Sequence, residues 1–372
     1  MYLYFNKVII IVSLLTSCQA SLVKEGDNTR LLTIDQLAFS PDSHSLAYTA
    51  SFSRPPYNKF DTTVGQWRLK SGKVKNVTKM MNHKINTIFF SPDGKDLALM
   101  YHANYKTNYG FIWNIDRNEV SEKQSYMPDY LGPDSIVAVS PDKKFTAQPD
   151  QKGRIRLWNN VTKKIIKTYQ SEHIETINVM QFTADSKGLV VVGQAPSYYH
   201  YNTRDDEYRG PTVVVSFDLS GKSENVVLDT KSTFLNFQKK ANRLLTNKRN
   251  PIEIWDIYKQ MLIQKINYVG DIKHIQLSNN GRFLVAVISS DLIILPDNKP
   301  IEIENRHVVV IWSIKEGLPF HVLTDGTGET TSLAISPNNK TLATGDDNGV
   351  IQLWNMKTGK MIKHLVVQGL KQ

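Results

Sequence analysis

Cysteine is almost absent from this chain, since Cys18 is the only one among its 372 residues. A single thiol cannot form a disulfide within the chain, and it excludes a metal site built from several thiolates. The nine histidines are scattered, without the spacing that zinc ligands show. The sequence therefore predicts no disulfide, no metal site and no cofactor.

Catalytic motifs are also missing. Neither a Gly-x-Ser-x-Gly nucleophile elbow nor a His-Glu-x-x-His zinc motif occurs. Gly221-Lys222-Ser223 resembles the end of a phosphate-binding loop, but Ser216 stands where that loop needs its first glycine. We interpret the acidic run 205–207 as a solvated loop tip and residues 325–329 as a flexible turn. An enzyme is therefore not expected.

Long hydrophobic runs are missing as well. After Lys7, the apolar stretch of residues 8–15 has only eight residues, whereas a helix needs about 20 to cross a bilayer. A short apolar stretch after a basic start is typical of a secretory signal. We expect a signal peptide over residues 1–17 and a polar tether over residues 18–30.

The end of this signal, Leu15-Thr16-Ser17-Cys18, resembles the lipobox of bacterial lipoproteins. The resemblance implies cleavage before Cys18 and attachment of acyl chains such as palmitate to this residue, which would anchor the protein in a membrane. Gln19 in place of Asp implies transport to the outer membrane of a Gram-negative cell envelope. The alternative is that Cys18 is an ordinary apolar residue of the signal.

Positive charge exceeds negative charge: the formal net charge is +10, or +9 without Lys7. A basic surface attracts anions. For a protein of the cell envelope we expect a protein partner, or an anionic glycan or lipid, and no nucleic acid. Many lysines fall on the last strand of each repeat, where charge also prevents aggregation of sheet edges.

Tryptophan, by contrast, is placed with great regularity. Each of the six closes a short apolar run, and Phe217 closes a seventh run in the longest gap between them. The repeat residues are Trp67, Trp113, Trp158, Phe217, Trp255, Trp312 and Trp354. One such unit cannot bury its own apolar faces, whereas seven stacked units can.

A second motif recurs with the same period as the aromatic residues. Ser40-Pro41-Asp42 returns as Ser91-Pro92-Asp93, Ser140-Pro141-Asp142 and Ser336-Pro337-Asn338, each after an apolar run. Proline followed by Asp or Asn suits a tight turn between two strands. Residues 37–367 divided among seven units give about 47 residues each, which fits four short strands per unit.

These repeats resemble those of WD40-repeat proteins from residue 37 to the end of the chain. The resemblance implies an all-β fold, a seven-bladed β-propeller of four-stranded antiparallel blades over residues 31–372, and a monomeric ring. Only Trp255-Asp256 is a literal Trp-Asp pair. In the family a His, an Asp and the Trp join a hydrogen-bond network, and most repeats here lack part of it.

Binding residues are expected in the connection between the second and third strands. It is long in the first, second, fourth and sixth units, and loops on a rigid scaffold commonly bind partners. The candidate partner-binding residues are Arg54, Tyr57, Phe60, Tyr105, Tyr109, Tyr198, Tyr199, Tyr201, Arg204, Tyr208 and Arg209. Tyrosine and arginine are common in interface hot spots. Alternatively, these loops pack on each other, and the sixth insertion resembles an extra hairpin.

The main prediction is a lipid-anchored, non-enzymatic scaffold that binds a protein or a glycan. The alternative is a hydrolase or lyase with an active site at the central channel, since propellers host enzymes too. A third is a part in an outer-membrane assembly machine. The ring could close through the terminal strand, residues 360–367, alone, or with residues 30–34 lying beside it.

Overall fold

Within the residues that it describes, the computed structural model of the chain is all-β. The described residues are 32–54, 59–81, 84–85, 87–91, 93–104, 107–123, 138–140, 142–150, 154–162, 164–183, 185–196, 212–219, 224–229, 233–238, 243–247, 251–257, 259, 261–289, 292–294, 300–302, 307–323 and 326–367.

In the described part of the chain, seven four-stranded antiparallel sheets follow one another, and the strands of each pair in sequence order. In the sixth sheet a separate two-stranded pair intervenes in the sequence between the second and third strands. Sheet 1 consists of β1 (Thr33–Phe39), β2 (Ser45–Arg54), β3 (Lys59–Arg68) and β4 (Val74–Met81), and sheet 2 of β5 (Thr87–Phe90), β6 (Asp96–Asn104), β7 (Thr107–Asn114) and β8 (Glu119–Lys123). Sheet 3 consists of β9 (Ala138–Val139), β10 (Phe145–Pro149), β11 (Ile155–Asn159) and β12 (Lys164–Tyr169), sheet 4 of β13 (Thr176–Phe182), β14 (Gly188–Gln194), β15 (Thr212–Asp218) and β16 (Glu224–Asp229), and sheet 5 of β17 (Thr233–Gln238), β18 (Arg243–Asn247), β19 (Ile252–Asp256) and β20 (Met261–Ile266). Sheet 6 consists of β21 (Asp271–Leu277), β22 (Phe283–Ser289), β25 (His307–Ser313) and β26 (Leu318–Leu323), with β23 (Leu292–Ile294) and β24 (Pro300–Glu302) as a separate pair, and sheet 7 of β27 (Thr330–Ile335), β28 (Thr341–Asp346), β29 (Val350–Asn355) and β30 (Met361–Val366).

This arrangement confirms the predicted fold class, an all-β chain of seven four-stranded propeller-type blades. The chain forms two compact units. One holds sheets 1, 2, 6 and 7, from residues 1–124 and 269–372, and the other holds sheets 3, 4 and 5, from residues 125–268.

The turn after the first strand has the same construction in six sheets. In sheet 7, Ser336 Oγ accepts a hydrogen bond from the Thr341 amide at 2.9 Å and donates one to Asn338 Oδ1 at 2.8 Å. Asn338 Oδ1 in turn accepts from the Lys340 amide at 3.0 Å. The equivalent hydroxyls belong to Ser40, Ser91, Ser140, Thr183 and Ser278. The short polar side chains thus satisfy the backbone of the turn, as the repeated sequence predicts.

One residue of this turn also joins neighbouring sheets, in a contact that we call the turn clasp. Ser43 Oγ of sheet 1 accepts from the Asn338 amide of sheet 7 at 3.2 Å. Asn339 Oδ1 of sheet 7 accepts from the Asn280 amide of sheet 6 at 3.3 Å, and Ser186 Oγ of sheet 4 accepts from the Asp142 amide of sheet 3 at 3.2 Å. Ser43, Ser186 and Asn339 all have φ near +60°. The left-handed conformation aims each side chain at the next turn.

Sheets 1 and 7 pack directly on each other. Ile34 of β1 lies against Gly345 of β28 so closely that a Cβ at position 345 would collide with it. The Ile34 carbonyl oxygen accepts hydrogen bonds from Thr331 Oγ1 at 2.6 Å and Ser332 Oγ at 3.1 Å. Leu32, just before β1, and Val367, just after β30, are thus buried in the same cluster between these two sheets.

The repeat residues all lie in the third strands of their sheets: Trp67 in β3, Trp113 in β7, Trp158 in β11, Phe217 in β15, Trp255 in β19, Trp312 in β25 and Trp354 in β29. Their hydrogen bonding differs. The Nε1 atoms of Trp354 and Trp255 donate to the hydroxyls of Thr344 and Thr246, at 2.9 and 3.2 Å. Among the described residues, the indole nitrogens of Trp67, Trp158 and Trp312 have no hydrogen-bond partner.

Candidate functional site

The two ends of each sheet differ in character. Because the strands are antiparallel and sequential, the connection between the second and third strands lies at the same end as the start of the first strand. We call this the connection end, and the opposite one, with the clasped turns, the turn end. In the compact unit formed by residues 125–268, the clasp between Asp142 and Ser186 brings the turn ends of sheets 3 and 4 together. Their connection ends therefore lie on one side of this unit.

The sequence places the predicted binding residues at connection ends. Arg54 lies in β2, Phe60 in β3 and Tyr109 in β7, although their side chains fall outside the described part of the structure. The remaining candidates lie outside the described residues altogether, as does the proposed lipid site; these are Tyr57, Tyr105, Tyr198, Tyr199, Tyr201, Arg204, Tyr208, Arg209 and Cys18.

The insertions take different forms. In sheets 1 and 2 much of the expected loop is strand instead, because pairing continues to Arg54↔Lys59 and to Asn104↔Thr107. In sheet 6, β23 pairs with β24, which agrees with the interpretation as an extra hairpin. In sheet 4, residues 195–211 separate β14 from β15. Strand pairing stiffens the first two insertions, so they extend the sheets rather than forming loose loops.

Asp35 marks the connection end of sheet 1. It is the extra residue of a β-bulge between Ile34 and Gln36. Burial raises the pKa of the Asp35 carboxyl, and a hydrogen bond with Ser51 together with the charge of Lys84 acts in the opposite direction. Burial outweighs the Ser51 hydroxyl and the Lys84 charge, so the pKa of this carboxyl stays above its ordinary value.

The connection ends of sheets 6 and 7 are joined by a hydrogen-bonded segment. His307 Nε2 lies 2.8 Å from Glu329 Oε1. The segment before β27 was expected to be flexible, but Thr327 donates to the Asp346 carboxylate and the Glu329 amide donates to Asp347 Oδ1 at 2.8 Å. The Asp346 side chain also accepts from two backbone amides. Polar side chains from the short β28–β29 turn therefore hold this segment in place.

Sheet 3 carries a group that the sequence interpretation missed. Asp150 Oδ2, at the connection between β10 and β11, accepts from Arg154 Nε at 2.9 Å and lies 2.7 Å from an Arg154 terminal nitrogen. It also accepts from a terminal nitrogen of Arg156 at 3.2 Å. The signal in the sequence is the i, i+2 spacing of the arginines in a strand, which places both on one face.

Two other kinds of feature are absent from the described residues. No three His, Cys, Asp or Glu side chains among them are grouped so that they could hold a metal ion. Nor does the described part of the chain contain a helix long and apolar enough to span a membrane.

Part of the chain is similar to a known family of repeats, and most of it is similar to longer proteins. Residues 317–355, from the last strand of sheet 6 to the third strand of sheet 7, match the model of the family described as WD domain, G-beta repeat. This segment of the chain is a WD40 repeat. The chain is 24% identical to apoptotic protease-activating factor 1 of Homo sapiens over 331 residues, which cover 87% of this chain and 22% of the human protein.

The corresponding factor of Rattus norvegicus is 23% identical over 343 residues, covering 92% of this chain and 23% of the rat protein. The chain therefore spans less than a quarter of the length of these relatives. WD40 repeats serve as scaffolds for protein–protein interaction. The similarity to these relatives concerns the repeats along this chain and carries no activity of the longer proteins with it.

Proposed function

We propose that this protein is a non-enzymatic scaffold that binds a protein partner at its connection ends. The observation that carries the proposal is the contrast between the two ends of the sheets. At the turn end, one type of turn recurs in six sheets, and its polar groups are occupied by hydrogen bonds within the turn and by clasps. At the connection end, four of the seven connections are extended, each in its own way.

The amino-acid composition of one connection also supports a binding site at the connection end. The connection between β14 and β15 holds four tyrosines and two arginines: Tyr198, Tyr199, Tyr201, Tyr208, Arg204 and Arg209. These side chains combine large contact area with polar ends, which is why they are frequent in binding surfaces. A protein is the partner we propose, and an anionic glycan or lipid of the cell envelope is the alternative.

A double exchange tests this surface. Tyr199→Ala with Tyr201→Ala should weaken partner capture by the purified protein at least tenfold, because two aromatic anchors are lost. The matched control is His44→Ala with Lys340→Ala, two exposed side chains of the turn end, which should leave capture unchanged. Thermal unfolding of both variants should stay close to wild type. A large loss of thermal stability in the tyrosine variant would instead support loops that only pack on each other.

We also propose that the protein is anchored at the cell envelope through acyl chains on Cys18, with the outer membrane as its location. The lipobox-like segment supports this proposal, because several buried acyl chains make a lasting anchor. Cys18→Ser should release a folded protein into the soluble fraction. If the variant still sediments with membranes, the anchor is wrong while the binding function is untouched.

A further inference from the structure

Arg154 and Arg156 form a cationic pair around one buried carboxylate. The side chain of Asp150 is only 7% exposed. One of its oxygens, Oδ2, meets both guanidinium groups, and Oδ1 accepts from the Arg154 amide at 3.1 Å. Such a carboxylate fixes both arginine side chains, since charge-assisted hydrogen bonds from guanidinium groups are directional.

The pair retains positive charge and unused donors. Two guanidinium groups face one carboxylate, which leaves an excess of one positive charge. Their side chains are 36% and 41% exposed. Within the described part of the chain, the guanidinium nitrogens that do not contact Asp150 make no hydrogen bond. Each guanidinium group has five N–H donors, so the pair can bind a further anion from solvent.

Its position suits a partner that is already held at the connection end. Arg154 stands just before β11 and Arg156 lies in it, on the side of the second compact unit where β14 ends. The large apolar side chains that the structure shows exposed in sheet 3 are Val161, Ile165 and Ile166, which lie toward the turn end. The arginine pair is thus placed among polar groups rather than among side chains that would enter a bilayer.

We propose that Arg154 and Arg156 bind an extended acidic segment of the protein partner, with Asp150 as the residue that positions them. This inference rests on the proposed scaffold function. The Cα atoms at i and i+2 of an extended chain stand about 6.5 Å apart, and their side chains leave on one face. Alternating glutamates of an extended peptide have the same spacing, so two carboxylates can each meet one guanidinium fork.

Binding of a labelled peptide tests the pair. The probe is a fluorescein-labelled octapeptide of alternating glutamate and serine, measured by fluorescence anisotropy with the full chain. Arg154→Gln with Arg156→Gln should weaken binding at least tenfold, because charge-assisted hydrogen bonds are lost. Lys340→Gln with Lys357→Gln removes the same net charge from exposed turn-end residues and should change the affinity less than twofold.

Arg154→Lys with Arg156→Lys separates geometry from charge and avoids a large change in folding. It keeps both charges but removes the planar forks, so it should still weaken binding severalfold. An octapeptide of the sequence Glu-Glu-Ser-Ser-Glu-Glu-Ser-Ser has the same four glutamates but none at i and i+2, so it should bind less tightly than the alternating one. Equal affinities for the two peptides, or equal losses in the arginine-to-glutamine and lysine-to-glutamine variants, would overturn the proposal in favour of general electrostatic attraction.

Two other outcomes would also overturn the proposed binding of an acidic peptide. Binding of phosphatidylglycerol vesicles, but not of the peptide, through the arginine pair would show a lipid site and overturn the peptide proposal. Partner capture that depends on Tyr199 and Tyr201 but is unaffected by Arg154→Gln with Arg156→Gln would also overturn it, while leaving the scaffold function intact. Failure of the scaffold itself is distinguishable, because capture would then be insensitive to the tyrosines.

Discussion

At the scale of the residue, equivalent tryptophans occupy unequal surroundings. Trp354 and Trp312 are each 2% exposed and close the third strands of adjacent sheets. The indole nitrogen of Trp354 donates to Thr344, whereas that of Trp312 has no hydrogen-bond partner among the described residues. The same residue type therefore contributes a hydrogen bond in one repeat and a buried, unsatisfied donor in another.

Trp354→Phe should therefore destabilise the protein more than Trp312→Phe does. Both exchanges remove similar apolar area, but only the first removes a hydrogen bond, which contributes about 1 kcal/mol. The second removes a donor whose burial without a partner is unfavourable. Urea unfolding of the two variants, with slopes compared to confirm the same transition, measures the difference. Equal losses of stability would contradict this account.

His321 should make stability depend on pH. Burial lowers the pKa of its imidazole, and the bond between Nε2 and the Lys357 carbonyl oxygen, at 3.0 Å, acts in the opposite direction. As the pH falls below about 6.5, the unfolded chain takes up a proton there before the folded chain does. Stability contributed by the neutral ring is thus present above pH 6.5 and is lost as the pH falls toward the lowered pKa.

Urea unfolding at pH 7.5 and at pH 5.5 measures this effect. His321→Gln, which keeps a donor for the Lys357 carbonyl, should lose less stability between the two pH values than wild type. Burial lowers the pKa of His274 in the same way, so part of the dependence remains in the variant. An unchanged loss in His321→Gln would assign the whole effect to His274 or to other groups.

At the scale of the element, the turn clasp explains why left-handed positions are filled by residues other than glycine. Ser43, Ser186 and Asn339 accept a backbone hydrogen bond from the preceding sheet. In sheet 2 the equivalent position is Gly94, with φ of +73° and no side chain to reach sheet 1. A Cβ there would lie 3.6 Å from Pro41 Cδ, an ordinary contact.

Gly94→Asn should therefore stabilise the protein. The new side chain can accept from the Asp42 amide, as its counterparts do, and asparagine tolerates the left-handed conformation. From this hydrogen bond we expect a gain of about 0.5–1 kcal/mol in urea unfolding. Gly72→Asn is the matched control, because φ is +70° there and the nearest side-chain atom, Lys363 Nζ, lies 4.0 Å away. A gain in both variants, or in neither, would argue against the clasp.

Elements also show how far the sequence predicts the structure. The positions of Trp67, Trp113 and their counterparts correctly predicted the third strand of every sheet, because each of these aromatic residues ends an apolar run in its repeat. The turns followed from Ser-Pro-Asp, whose side chains bond locally. The strand extensions to Arg54 and Thr107 were not predicted, because pairing across a hairpin depends on the partner strand rather than on local pattern.

At the scale of the whole molecule, the sequence repeat predicts the number of sheets. It does not predict the contacts between residues that are distant in sequence. The packing of Ile34 on Gly345 joins residues more than 300 positions apart, and no local pattern signals it. The contact of Asp150 with Arg154 and Arg156 was missed for a related reason, since isolated charges in a strand usually indicate a solvated face. Function at the connection end is therefore inferred from the contrast between the two ends of the sheets.

Site-specific crosslinking tests that contrast most directly. A benzoylphenylalanine introduced in place of Tyr199, at a connection end, should form an adduct with the partner under illumination. The same group in place of His44, at a turn end, should form none, although His44 is exposed as well. Adducts from position 44 with none from position 199 would show that the partner binds the turn end and would contradict the proposed function.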